Sequence, residues 1–423
     1  MISALLKPTP VVKTGEITID QVVAYSRALN EPDWMMERRA EAFRVFRDTP
    51  APNRYDELWR RVDLSQFKLA EIIASVDAGN NEVATQLHSP LSADEMKAQG
   101  VIFADFATIV REQPELFSKF FMAESVKITD SYFAALHGIF VRGGAVLYVP
   151  AGVKIDAPFR TTNTMRADQR TGFNHTLIVL EEGAKATLIE DFASPTGTVQ
   201  AMYNGVVEMV LRKGAQLDYV NIQDWGRHLY NFTTERAKVS DKSVLHWVMG
   251  GIGGKFTKSL LESDMLGANG LALMSGVYFA DTKQQFHFDT QQNHMGQACK
   301  SDLLYKAALR DAARAVWRGN IRVFKNAQKT DAYQANRNLQ LSDKSRADSI
   351  PGLEIEADDV RCTHGATVGQ IEEEPMFYLE SRGVPEEEAR RLIVEGFFAP
   401  VIERIPLEET RERLLVEIGK KIP

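Results

Sequence analysis

The spacing of hydrophobic and polar positions changes twice along this chain. Up to about residue 130 the pattern is helical. Asp20 to Asn30 forms one segment, ended by Glu31-Pro32, and Asp33 opens a second that runs to about Arg47. Met35, Ala42, Val45 and Phe46 recur there at helical spacing, with Arg38, Arg39 and Arg44 on the polar side, until Thr49-Pro50-Ala51-Pro52 stops it. Ala93–Gln99, Phe103–Glu112 and Pro114–Met122 read as short helices, and Ile72–Val76 as a strand. Nothing in this part asks for more than packing.

Near Ser131 the pattern shifts. From Gly143 to about Gly369 short β-prone runs follow one another, among them Ala145–Val149, Thr176–Leu180, Val206–Leu211 and Ile321–Phe324. Each follows a small or charged corner, and the corners at Ala184, Ala215, Lys242, Ala268, Ala312 and Lys344 are 31, 27, 26, 44 and 32 residues apart. Steps of that size with few helices between them predict a solenoid of β coils. A doubly wound α/β sheet would need an amphipathic helix after each strand, and none is seen. A β-sandwich is the competing arrangement, with Asn204-Gly205 and Asn269-Gly270 as hairpin turns.

After Met376 the helical pattern returns. Gly383-Val384-Pro385 precedes three glutamates, which suit a helix N-terminus. Ala389, Leu392, Ile393 and Phe397 then form an apolar stripe, Pro400 interrupts it, and Pro406 opens a last helix with Leu407, Leu414, Leu415 and Ile418 inward. Three units follow: a helical or mixed domain over 1–130, a β core over 131–375 and a helical tail over 376–423.

Composition narrows the function. The chain has 423 residues, 44% hydrophobic and 25% charged, as expected of globular domains, and its net charge of -7 argues against a general nucleic-acid binder. Residues 351–423 hold 17 acidic and 9 basic side chains, so this stretch alone carries -8. Two cysteines point to a reducing, cytoplasmic setting. Ile2–Leu6 is too short for a signal-peptide core, and no run is long enough to span a membrane.

Few motifs carry chemistry. Met249–Thr257 imitates a phosphate loop, but Met249 stands where a glycine is needed and Phe256 where Ser or Thr is needed, so it is expected to be a tight corner. His287, Asp289, His294 and Cys299 form a loose set of weak metal candidates; their spacing specifies little. The other histidines, His88, His137, His175, His228 and His246, stand alone, and no nucleophile elbow is present. No coil shows the clustered charges of a carbohydrate-active β-helix enzyme. The best constellation is Asp358–Thr367. If it is a strand, Cys362 and His364 share one face, a soft pair able to hold sulfur or iron, with Arg361 near enough to lower the thiol pKa.

Val360-Arg-Cys-Thr-His-Gly-Ala-Thr-Val-Gly369, Met376–Val384 and Ala389–Phe397 resemble the SufB/SufD family of iron–sulfur cluster assembly proteins. Glu31–Met35 with Arg38, and Gly144–Val153, resemble its N-terminal segment and its entry into the core. Within that family the chain is similar to SufD, because Ser345 stands in Ser342–Ala347 where SufB has its sulfur-handling cysteine, and Gly365 where SufB has a glutamate. The resemblance implies a right-handed parallel β-helix flanked by N-terminal and C-terminal α-helical domains. It implies a non-enzymatic scaffold that pairs with a SufB-like subunit, with His364, and less securely Cys362, at the contact where a transient cluster forms. It further implies docking of a SufC-like ABC ATPase on the C-terminal helices, through Pro385, Ala389, Leu392, Ile393 and Phe397, which would account for the missing phosphate loop. Flavin is associated with such complexes, though no residue here is assigned to it. A homodimer of the chain alone is compatible with the resemblance.

Overall fold

A computed structural model describes residues 16–77 and 83–422. In the N-terminal part, Thr18 and Gln21 cap Ile19–Ala28 reciprocally, and Asp33–Asp48 follows Pro32. Ser92 and Glu95 cap Ala93–Gln99 in the same way, and Gly100 closes it at φ 68°. Two expectations fail here. Ile72 and Ile73 belong to a helix, Leu69–Ala74, because both face the helical core rather than alternating. Phe103 lies in a strand, Ile102–Asp105, and the helix starts only at Phe106, where Asp105 accepts the Thr108 N–H. The helix Tyr132–Phe140 packs with these N-terminal helices before the first coil begins at Gly143.

From Gly143 the chain winds as a parallel β-solenoid of two nine-stranded sheets, each coil giving one strand to each sheet. Only the first strand of each sheet is antiparallel: Ala84–His88 pairs with Phe159–Thr164, and Ile102–Asp105 with Gly143–Val149. One corner recurs in every coil but the last. Gly152, Gly183, Gly214, Lys242, Asn269, Ala298 and Lys329 all have φ between 52° and 76°, at steps of 31, 31, 28, 27, 29 and 31 residues. The N–H of each donates to a carbonyl of the next coil, from Glu182 to Asp359, at 2.6–2.9 Å.

This explains the anomalous step of 44 residues in the sequence. The Ala298 corner carries neither glycine nor charge and so leaves no mark in the sequence, while the later marks, beside Asp311 and Ser342, belong to a second corner. The sandwich is excluded because Asn204-Gly205 lies inside the parallel strand Ala201–Leu211, and Asn269 turns a solenoid corner rather than a hairpin. Gly254, at φ 87°, turns the corner that imitates a phosphate loop.

Leu188, Tyr219, Trp247, Leu303 and Trp317 fill the lumen. The N-terminal helices cover one wall, stacking Trp59 on Phe133 and Phe133 on Phe232. The C-terminal helices Glu386–Ile402 and Glu408–Gly419 cover the other. Val394, Phe398, Val401, Leu414 and Ile418 are buried there against Ile189, Val220, Val248 and Val277. The helix runs through Pro400 instead of stopping at it, only two residues before its end, where little helix remains to be disrupted. Lys421 locks the tail: its ammonium donates to the carbonyls of Ile252 and Phe279 and lies 3.5 Å from Asp281.

Candidate functional site at the open end of the solenoid

Among the described residues the last strand of each sheet has no further partner. The strands Arg346–Ile355 and Arg361–Gln370 each pair on one side only, with Arg314–Val323 and Asp331–Gln340. The first coil is closed by two antiparallel strands; among the described residues no strand covers the last. Most of Arg361–Gln370 is exposed.

The register fixes which side chains look inward. Cys362 stacks on Ala332, then Ser301, Ala272 and Leu245; His364 stacks on Gln334, then Leu303, Met274 and Trp247. Leu245, Trp247, Met274 and Leu303 are lumen residues, so Cys362 and His364 share the lumen-facing side of the last coil. His364 is exposed only because no coil lies beyond it. Cys362 is half-buried against Ile321, Val323 and Ala332. Its thiol pKa is raised, by burial first and then by the Asp331 carboxylate, against a smaller effect of the Ala332 N–H. Arg361 therefore does not lower it: the alternation of the strand sends that side chain to the opposite face. Ser345 lies buried at the corner before the terminal strand, where its hydroxyl donates to Ser342 O at 2.7 Å.

The weak metal candidates are divided by the sheet. His287 and Asp289 face outward: the His287 ring lies 5.3 Å from Phe256, and Asp289 pairs with Lys258 and Arg318. His294 and Cys299 are in the interior, where His294 Nε2 is 2.9 Å from the Ser301 hydroxyl and Cys299 Sγ donates to Gly267 O. Among the described residues no three His, Cys, Asp or Glu side chains converge as metal ligands.

Of the expected docking positions, Leu392 is 42% exposed and Pro385 is exposed, whereas Ile393 is half-buried and Ala389 is buried. Phe397 lies under Lys306, 4.7 Å from its ammonium. Beside Ala389, the stripe on the wall is thus Val394, Phe398, Val401 and Ile402, rotated by one residue, about 100° around the helix, from Ile393 and Phe397 read from the sequence. More open than Leu392 are Phe377 (73%) and Tyr378 (57%), on the helix Glu373–Ser381, which buries no residue at all.

Three other features escaped the sequence reading. His137, His175 and Glu208 form a buried chain: His137 Nε2 is 3.2 Å from His175 Nδ1, and His175 Nε2 is 3.1 Å from Glu208 Oε1. Burial pushes His175 down to about 3 and Glu208 up to about 8. Outside the solenoid, His246 meets Asp218 at 2.8 Å. Residues 28, 33 and 38 positions apart give no local sign that coiling will join them. The third is a groove of about 510 Å³ that does gather charge along one wall, including Arg236, Glu262, Asp264 and Asp289. Each of these acids is held by a cation: Glu262 by Arg236, Asp264 by Lys238, Asp289 by Lys258. No helix among the described residues is long and apolar enough to cross a membrane.

Comparison with known proteins gives the family. A family model described as the SufBD core domain of SUF-system FeS cluster assembly matches residues 161–397, and one for the SufBD N-terminal region matches 73–161. The iron–sulfur cluster assembly protein SufD of Bacillus subtilis (strain 168) is 29% identical over 433 aligned residues, covering 96% of this chain and 99% of its own. A SufBD family iron–sulfur cluster assembly protein of Staphylococcus haemolyticus is also 29% identical, covering 93% of this chain and 90% of its own. With more than half of its length matched by the core model, this chain belongs to the SufBD family of iron–sulfur cluster assembly proteins.

Proposed function

We propose that the chain is a SufD-like scaffold subunit whose open end is completed by a SufB-like subunit. His364 stands at that seam and contributes to a nascent cluster, which is cargo rather than a resident cofactor. The observation that carries this reading is the position of His364 on the lumen side of a coil that no other described strand pairs with. An imidazole is a good iron ligand, and unpaired edge strands are ready templates for another chain. Cys362 is the second candidate. Its raised pKa favours the neutral thiol, so it serves only once a metal or a neighbouring cation draws off the proton.

In this reading the energy source sits on another chain, a SufC-like ABC ATPase docked on the C-terminal helices. Phe377, Tyr378 and Leu392 offer it an apolar surface among the glutamates of the same helices. The chain itself performs no catalysis, and no residue is assigned to flavin. A cytoplasmic location agrees with two cysteines that are both free.

The test is His364→Ala in the complex reconstituted with both partners. Cluster assembly is expected to disappear while the complex stays intact. Normal assembly by this variant would remove His364 from the site.

A further inference from the structure

The lumen just below the open end is floored by amides. Gln334, Asn336 and Asn338 are buried on one wall, and Ser349 faces them from the other. Most of their bonding capacity is used inside the layer. Ser349 Oγ and Asn338 Nδ2 both donate to Asn336 Oδ1, and Tyr278 Oη donates to Asn338 Oδ1 at 3.4 Å. Gln334 Oε1 is different. It is fully buried and has no hydrogen-bond partner among the described residues. The orientation of this amide is not arbitrary, because its nitrogen donates to two carbonyls, Gly352 O at 2.9 Å and Gly319 O at 3.4 Å. Carbonyls only accept, so the nitrogen must face them and the oxygen must face away.

Two further facts place that oxygen. Gly352 belongs to the last coil and Gly319 to the one before it, so the amide is slung between the two levels. At Gly319 a Cβ would lie 2.5 Å from Gln334 Oε1, so only glycine leaves the amide this room. His364 is the residue stacked directly on Gln334, one strand spacing of about 4.8 Å away and on the same side of the wall. The structure gives its ring no hydrogen bond among the described residues.

We infer that Gln334 is a positioning residue for His364: its Oε1 accepts the N–H of one ring nitrogen and so fixes the tautomer that leaves the other nitrogen's lone pair pointing out of the lumen. This rests on the reading of His364 as the site residue and adds what orients it. A buried acceptor left empty is costly, and a rotation of the exposed ring supplies the missing donor. Ligating histidines generally owe their orientation to such a bond on the second nitrogen.

The experiment is nitrogen NMR of the full chain labelled at histidine. The His364 ring is expected in one dominant tautomer. Gln334→Met keeps the length but removes the acceptor and is expected to give the mixture of a free imidazole; Gln334→Glu restores an acceptor and is expected to restore the bias. In the reconstituted complex Gln334→Met should slow assembly by about 10–100-fold with partner binding unchanged. A mixed tautomer in the unaltered chain, or the same dominant tautomer in Gln334→Met, overturns the inference, and the first of these needs no variant to fold. If instead the tautomer follows Gln334 but His364→Ala still assembles clusters, the inference stands and the function proposed for His364 falls.

Discussion

Cys362 and His364 are two residues apart on one strand, yet they meet very different surroundings. The thiol leans into an apolar cluster beside Asp331, and the imidazole stands in the open. Cys362 should therefore alkylate more slowly than an unhindered thiol near pH 8, and Cys299, buried under the Gly267 carbonyl, only on unfolding. Mass spectrometry of the native and denatured chain after brief iodoacetamide treatment checks this order. The buried carboxyls set a pH dependence. Glu208 and Glu235 hold their protons up to about 8 when folded but lose them near 4.5 when unfolded, so they make stability fall as pH rises across that window. His175 and His287, lowered from 6.5 to about 3, make stability rise over their own window, which ends at 6.5. Between 6.5 and 8 the carboxyls dominate and each removes about 1 kcal/mol per pH unit, less as pH nears 8. Urea midpoints at pH 6.5 and 8 should differ clearly, and less so in Glu208→Gln. The pairing of Cys362 with His364 was legible because strand alternation is local. The buried chain of His137, His175 and Glu208 was not, because coiling rather than spacing brings those residues together.

At the scale of the element, the recurring left-handed corner separates backbone cost from packing cost. A Cβ on Gly183 would meet nothing within 4 Å, so Gly183→Ala changes little except the strain of φ 69°. It should cost about 1–2 kcal/mol in chemical denaturation. Ala298 already bears that strain at φ 52°, and Ala298→Gly should gain about 0.5–1 kcal/mol. Coil corners were legible in the sequence where glycine marked them. Ala298 was hidden because the hydrogen bond of its N–H to Gln328 O, made by the next coil, holds a conformation that its own side chain disfavours. The short segment Ile72-Ile73 misled for a related reason: a brief apolar run has no period, and the tertiary core decided for helix.

Across the whole molecule, one helix of the tail faces two ways. Phe398 is fully buried against the solenoid wall, and Phe398→Ala should lower stability by about 3–5 kcal/mol. Leu392→Asp lies on the outer side and should leave thermal unfolding within about 0.5 kcal/mol of the parent, while weakening capture of the ATPase. Unchanged capture would move the docking surface elsewhere. The sequence revealed the helix and its apolar residues, but which side met the wall depended on the strand register beneath it.

The difference between the two ends of the solenoid has a consequence for the chain in isolation. The first coil is covered by two short antiparallel strands, whereas among the described residues the other end offers two ten-residue rows of N–H and C=O groups to any extended segment that arrives. A lone copy at high concentration should therefore dimerise through these rows. A lysine on the last strand, as in Val368→Lys, should keep the isolated protein monomeric in sedimentation at concentrations where the parent self-associates.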